Sequence, residues 1–170
     1  MNKKISFLTP IRVAMVVILF AFIVFLQIGD KESKASLKTV TNKVVKSIKV
    51  EGMAESNNRM FKKFYGLNAS DYEGVTLYAP ETNMNAQELL IVKLKDSSQA
   101  EAVTKAINSR LETQKSSFEG YGIEQFDMLE NHILDVQGNF ILYIVHPDAA
   151  KATRLSATAF KNVMTIKMKG

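Results

Sequence analysis

The sequence predicts an α+β domain, most simply a mostly antiparallel sheet of about four strands packed by helices on one face, preceded by an N-terminal transmembrane helix. Three observations predict it. An apolar run follows a short basic N-terminus, about 130 residues remain behind it for one hydrophobic core, and helical and strand patterns then succeed one another. The predicted order of elements in the chain is α-α-β-β-α-α-β-β-α.

The apolar run at the N-terminus predicts a membrane anchor. Residues 13–26 are unbroken apolar residues, and residues 11–29 extend the segment to nineteen residues. At about 1.5 Å per residue this is about 28 Å of helix, close to the thickness of a bilayer core. Arg12 and Gln27 stand near its ends, where polar groups can reach the interface. We therefore expect a cytoplasmic tail at residues 1–10, a single-pass signal-anchor at 11–29, and the C-terminal domain outside the cell membrane.

The alternative is a secretory signal that is cleaved near Ala35, which would release the domain from the membrane. Lys3 and Lys4 form a basic start, and Ser33-Lys34-Ala35 has the small-x-small pattern of a cleavage site, within a predicted linker at residues 30–36. The length of the apolar segment favours retention. The chain has no cysteine, which excludes a lipid-bearing Cys, disulfides and thiolate metal sites.

The first half of the domain shows two helical and two strand patterns. Apolar residues recur at helical spacing over residues 36–48, and a shorter helix at residues 57–64 is followed by Gly66 as its C-cap. Residues 74–79 and 88–95 have strand patterns, of which the second is apolar enough for a central strand.

The second half begins with the clearest helix of the domain. Ser98 and Glu101 have the spacing of a capping box, and an apolar stripe interrupted by Gln114 runs as far as Phe118. The remaining predicted elements are a short helix at 123–131, a hairpin of strands at 133–136 and 140–145, and a last helix at 149–164. We expect one domain over residues 37–164 and a basic tail at 165–170.

Charge is distributed unevenly along the chain. Residues 1–50 carry a net charge of +7, residues 51–150 of −7 and residues 151–170 of +5. A nucleic-acid-binding domain needs its basic residues on the folded surface, so the acidic middle argues against nucleic acid as a partner. The basic flanks are typical of segments that meet anionic lipid headgroups or wall polymers, and equally of ordinary solvated lysines.

Several short segments carry a family resemblance. They are Phe64-Tyr65-Gly66-Leu67, Asp71-Tyr72-Glu73, Tyr78-Ala79-Pro80, residues 86–93, the spaced set Arg110, Gln114, Phe118 and Tyr121, then Gln125, Leu129 and Gly138-Asn139-Phe140. Over residues 45–150 this order resembles the bacterial family known as domain of unknown function 4358. The resemblance implies a small extracytoplasmic domain held by a lipid-bearing Cys or an N-terminal helix, here the helix. That family has no assigned activity, so it implies no catalytic residues.

No catalytic, cofactor or metal signature is found in the sequence. The only histidines, His132 and His146, have no ligand-like spacing to each other or to carboxylates, and we expect His146 to be a strand-to-helix junction residue. Nucleotide-binding loops and nucleophile elbows are missing as well. The acids Asp71, Glu73, Glu81 and Glu88 are interpreted as exposed solubility residues because they lack the spacing of a calcium loop.

Gln114 is the most informative single polar residue, because a buried amide in an apolar stripe needs a hydrogen-bond partner. One interpretation is structural, with Gln114 tying its helix to another element. The other is a ligand-binding cluster of Arg110, Gln114, Tyr121 and Gln125.

Three functional readings follow. The first is a non-catalytic, membrane-tethered binding or scaffold module of the bacterial cell envelope, whose partner is an envelope protein or wall component and whose contact with membrane lipid is through residues 11–29. The second is a small-molecule or peptide sensor or carrier with a pocket between sheet and helices. The third and weakest is an envelope hydrolase. None of the three calls for a cofactor.

Overall fold

The computed structural model describes residues 15–20, residues 33–150 and Arg154. The chain divides into two compact units, Met1–Lys31 and Glu32–Gly170. In the first unit, residues 15–20 are helical and their side chains are exposed. Within the described part of the chain, no helix is both long enough and apolar enough to span a bilayer. Most of the predicted anchor at 11–29, and the predicted tails at 1–10 and 165–170, lie outside the described residues.

The second unit contains four α-helices and five strands among its described residues. The helices are α1 (Leu37–Ser47), α2 (Asn58–Tyr65), α3 (Ala100–Phe118) and α4 (Ile123–Glu130). The strands are β1 (Met53–Ser56), β2 (Gly74–Pro80), β3 (Glu88–Lys93), β4 (Ile133–Gln137) and β5 (Phe140–Val145). The predicted α+β class is confirmed. The last predicted helix, at 149–164, lies almost entirely outside the described residues.

The five strands form one antiparallel sheet in the order β1-β2-β3-β5-β4. The prediction of about four strands was therefore wrong, because it missed β1. That strand has only four residues and exposes Ala54 and Glu55, so it carries no apolar pattern. Its place in the sheet comes from pairing with β2, where Met53 lies opposite Pro80.

Helices cover both faces of the sheet, which corrects the prediction of helices on one face. On one face, Val40 and Val44 of α1 join Leu89, Ile91 and other residues in one apolar cluster. On the other, α2, α3 and α4 pack in a second cluster, which includes Phe61, Leu90, Ile107, Leu129 and Tyr143. Every residue of β3 and of β5 is buried. Such continuous apolar strands are typical of sheets covered on both sides.

The observed cap agrees with the sequence prediction at one helix and differs from it at another. Gly66 ends α2 with a φ of 70°, a left-handed conformation that glycine adopts without steric cost, as predicted. The predicted capping box of Ser98 and Glu101 was wrong. Asp96 accepts a hydrogen bond from the Ser98 backbone N–H at 2.8 Å, and the Gln99 side chain completes the box, before a 3-10 turn leads into α3. Asp96 is the stronger acceptor of the two candidates because it is charged.

Candidate functional site

A buried carboxylate, that of Glu88, organises the polar residues between the sheet and α3. Glu88 is the first residue of β3 and has no exposed surface. Its Oε2 accepts hydrogen bonds from Arg110 Nη2 at 2.9 Å and from Gln114 Nε2 at 3.3 Å, while Tyr65 donates its hydroxyl to Oε1. The carboxylate is thus paired with a cation and with two neutral donors, which offsets the cost of burying its charge.

The sequence brings these donors together through helical spacing. Arg110 and Gln114 are four residues apart on α3 and therefore lie on the same face, one turn apart. Tyr65 is the last residue of α2, and the preceding Phe64 places its ring 3.9 Å from the Arg110 guanidinium. This contact holds the guanidinium by its flat face while its N–H groups reach Glu88.

Two tyrosines in this cluster are held in the neutral state. Burial raises the pKa of Tyr65 well above its ordinary value, and the charge of Glu88 raises it further. The pKa of Tyr143 is raised for the same two reasons in the same order. Among the described residues, the Tyr143 hydroxyl and Gln114 Oε1 are buried without a hydrogen-bond partner from the protein. Because Glu88 is fully enclosed, this cluster ties α2 and α3 to β3 and offers no open position for a substrate.

The structure separates the four residues that were predicted as a ligand-binding cluster. Arg110 and Gln114 meet at Glu88, and Gln114 connects α3 to the sheet. Tyr121 follows α3, is 64% exposed and contacts the Phe118 ring. Gln125 lies on α4 and lines a separate cleft. Helical spacing correctly placed Arg110 and Gln114 on one face of α3. The helix ends before Tyr121, so Tyr121 does not continue that face.

Gln125 lines a concave surface among the described residues. Its volume is about 800 Å³, and it lies between α4, the segment before β3 and the end of β5. Its lining is a mixture of amides, two acids and apolar side chains, with His146 at one side: Asn85, Gln87, Glu124, Gln125, Asp127, Met128, Asn131, Ile133, Pro147, Ala149 and Ala150. Ligand sites of small molecules are typically of this size and mixed polarity.

Two amide side chains of the cleft differ in their hydrogen bonding. The Asn85 side chain is fixed, because its Nδ2 donates to the Gly52 carbonyl at 3.0 Å and its Oδ1 accepts from the Gln87 backbone N–H at 2.9 Å. Gln87 Oε1 is buried without a hydrogen-bond partner in the described structure. The lining described here includes Glu124 and Asp127 and no Lys or Arg, so it favours neutral or cationic ligands.

His146 has a structural role at the edge of this cleft. Its Nδ1 accepts from the Asp148 backbone N–H at 2.9 Å, so its proton is on Nε2, which donates to the Lys49 carbonyl at 2.9 Å. Both ring nitrogens are therefore used, at the point where β5 ends. His132 Nδ1 donates to the Leu129 carbonyl at 2.7 Å. No group of three or more metal-ligating side chains was found within the described ranges.

Glu88 is the residue that sequence reasoning placed wrongly, since it was interpreted as an exposed acid. The available signal was Arg110 and Gln114, two long polar side chains on the inner face of a helix, which require an acceptor in the facing strand. Gln87 and Asn85 carried no such signal, because they lie in a loop whose path depends on β1.

Comparison with protein-family models finds one match, over residues 46–146, to the model described as Domain of unknown function (DUF4358). This confirms the predicted resemblance. Neither the curated proteins nor the solved structures gave a match to this chain.

Proposed function

Because the chain belongs to the DUF4358 family, whose description assigns no activity, we propose a function from the geometry of the cleft. The protein is a non-catalytic, membrane-tethered binding module of the bacterial cell envelope. It takes a polar, neutral or cationic envelope component into the cleft beside α4. The observation that carries this proposal is a cleft of about 800 Å³ whose lining includes the amides of Asn85, Gln87, Gln125 and Asn131.

The composition of the cleft supports a hydrogen-bonding ligand. An amide side chain offers both a donor and an acceptor, so several of them around one cavity suit a ligand rich in hydroxyl, amide or amine groups. Gln87 and Gln125 come from different parts of the chain, the segment before β3 and α4. The apolar lining residues, which include Met128 and Ile133, would bury the carbon skeleton of such a molecule.

The arrangement of the acids supports binding rather than hydrolysis. A glycosidase needs two carboxyl groups that flank the scissile bond from opposite sides. Glu124 and Asp127 are three residues apart on α4, so they project from the same wall of the cleft. The buried acid Glu88 is committed to Arg110, Gln114 and Tyr65.

The start of the folded domain supports a retained anchor. Ala35 is only 3% exposed and belongs to the apolar cluster of the α1 face. The Ser33 backbone N–H donates to Asn139 Oδ1 at 2.8 Å, and the Ala35 N–H donates to Ser33 Oγ at 3.2 Å. Cleavage next to Ala35 would remove residues that take part in the fold, which favours a chain that keeps them.

The test is thermal unfolding of the full chain with four probes: N-acetylglucosamine, glucosamine, an uncharged alanine dipeptide amide and glucosamine 6-phosphate. A ligand of the native state adds about 2.7 kcal/mol of stability at one hundred times its Kd, which raises the Tm by several degrees. We expect neutral or cationic probes to raise the Tm and the phosphate to do so less.

The decisive variants are Gln87→Leu and Gln125→Leu, which should abolish the rise in Tm caused by the active probe. Asn108→Leu is the matched control, because it makes the same kind of change at an exposed position of α3, away from the cleft. A shift that survives both cleft substitutions, or that phosphate produces best, would contradict the proposed site.

A further inference from the structure

Helix α1 has two chemically opposite faces. Its inner face buries Val40 and Val44 against the sheet. At 3.6 residues per turn, Lys38 and Lys46 lie on the side away from these valines and Lys43 lies at its flank, and all three are exposed. The outer face of this helix is therefore basic.

The basic face extends beyond the helix and contains no acid. Lys34 and Lys49, just before and after α1, are exposed as well, and residues 33–50 include neither Asp nor Glu. The ion pairs found in the described structure are made by lysines and arginines of other elements. We define the basic face as these five lysines: Lys34, Lys38, Lys43, Lys46 and Lys49.

The larger part of the domain has the opposite charge. Residues 51–150 carry eight Lys or Arg and fifteen Asp or Glu. An anionic surface therefore attracts the basic face and repels residues 51–150, so these charges favour one orientation.

We propose that the basic face of α1 is a docking surface for anionic phospholipid headgroups, which holds the domain in one orientation on the membrane. This inference goes beyond ligand binding in the cleft and does not depend on it, but it rests on the membrane tether of the proposed function. Each lysine contributes a favourable interaction near an anionic lipid surface. The helix begins at Leu37, eight residues after the end of the predicted anchor at residue 29.

The attachment would be electrostatic. Interfacial helices usually insert their apolar face into the lipid, but the apolar face of α1 is already buried against the sheet. Only the lysines of α1 remain to contact the membrane. Their interaction with the lipid must weaken with salt, because the Debye length falls from about 10 Å at 0.1 M to about 3 Å at 1 M. Wall polymers that carry phosphate groups have the same anionic chemistry as phospholipid headgroups. The experiment distinguishes binding to the polymer from binding to the lipid.

The experiment uses the full chain reconstituted into vesicles of phosphatidylcholine alone or with phosphatidylglycerol. Lysines are acetylated with a membrane-impermeant reagent and the labelling at each position is quantified by mass spectrometry. About 1 kcal/mol per lysine near an anionic surface corresponds to about a fivefold change, so labelling of Lys38, Lys43 and Lys46 should fall about fivefold with phosphatidylglycerol. High salt should restore it.

The same molecules contain their own control. Lys62, Lys63 and Lys105 are exposed on α2 and α3, and their labelling should be equal in the two kinds of vesicle. Equal labelling of the basic face in both vesicles would overturn the proposal. Protection that appears only when a soluble teichoic acid is added would also overturn it, in favour of a polymer.

Charge reversal provides a matched pair of variants. In K38E/K43E/K46E, the remaining reporters Lys34 and Lys49 should lose their protection on anionic vesicles. In K62E/K63E/K105E, which reverses the same number of exposed charges elsewhere, their protection should persist. Loss of protection in both variants would mean that net charge alone is responsible and would contradict a specific face.

Discussion

At the scale of single residues, the carboxylate of Glu88 determines the roles of its neighbours. Arg110 neutralises it, Gln114 and Tyr65 donate to it, and Phe64 supports the guanidinium from the side. Gln114 could be identified from the sequence as a buried amide that needs a partner, whereas the partner itself could not. Glu88 stands at the start of a strand, and only the packing of α3 on that strand decides that its side chain is enclosed.

Two tyrosines of this cluster allow a matched comparison. Tyr65→Phe removes a hydrogen bond to a buried charge and should lower the free energy of unfolding by about 1.5–3 kcal/mol. Tyr143→Phe removes a hydroxyl that has no protein partner in the described structure and should change it by less than about 1 kcal/mol. Denaturant unfolding at neutral pH measures both. An equal loss in the two variants would show that the Tyr143 hydroxyl is also bonded.

At the scale of elements, periodicity identified every long helix and strand within the described residues, and failed where pairing alone defines the element. β1 exists because Met53–Ser56 lies along β2, not because of its own residues. The burial of β3 and β5 on both faces was visible in their continuous apolar runs. The position of α1 on the opposite face from α2–α4 was not, because an amphipathic pattern shows that a helix packs, but not on which side.

Asp96 is the titrating residue at the start of the turn that leads into α3. Hydrogen bonds from Ser98 lower the pKa of the Asp96 carboxyl. Its contribution to stability is therefore complete above the unfolded pKa, about 3.9, and is lost as the pH falls below it through the folded pKa.

Asp96→Asn keeps an acceptor that does not titrate. The Tm advantage of the native chain over Asp96→Asn should be constant above about pH 5 and shrink below about pH 4. Thermal unfolding of both proteins between pH 3 and 7 checks this expectation, with Asp127→Asn, on the exposed surface of α4, as control. A difference that does not depend on pH would argue against a charged cap.

At the scale of the whole molecule, the two buried tyrosines make the stability of the fold decrease at alkaline pH. Their pKa values are raised by burial and by Glu88, so both stay protonated in the native state above the ordinary value of about 10. The resulting contribution is complete below pH 10 and decreases as the pH rises above it, because the unfolded chain then loses protons that the folded chain keeps.

We expect alkaline unfolding in which the tyrosinate absorbance of Tyr65 and Tyr143 at 295 nm appears together with the loss of circular dichroism. In Tyr65→Phe/Tyr143→Phe, the part of the absorbance change that accompanies unfolding should be smaller. Absorbance of these two residues that rises well before the dichroism changes would contradict their burial.

The order of the strands has a consequence for when the domain can fold. β3 lies at the centre of the sheet, and its residue Leu90 pairs with Tyr143, which comes fifty-three positions later. Both strands are buried along their whole length, and β3 has no neighbour on one edge until β5 has been synthesised. Pairing over such a separation requires a long loop to close first, which slows folding. The five-stranded sheet can therefore be completed only after residue 145 has been made.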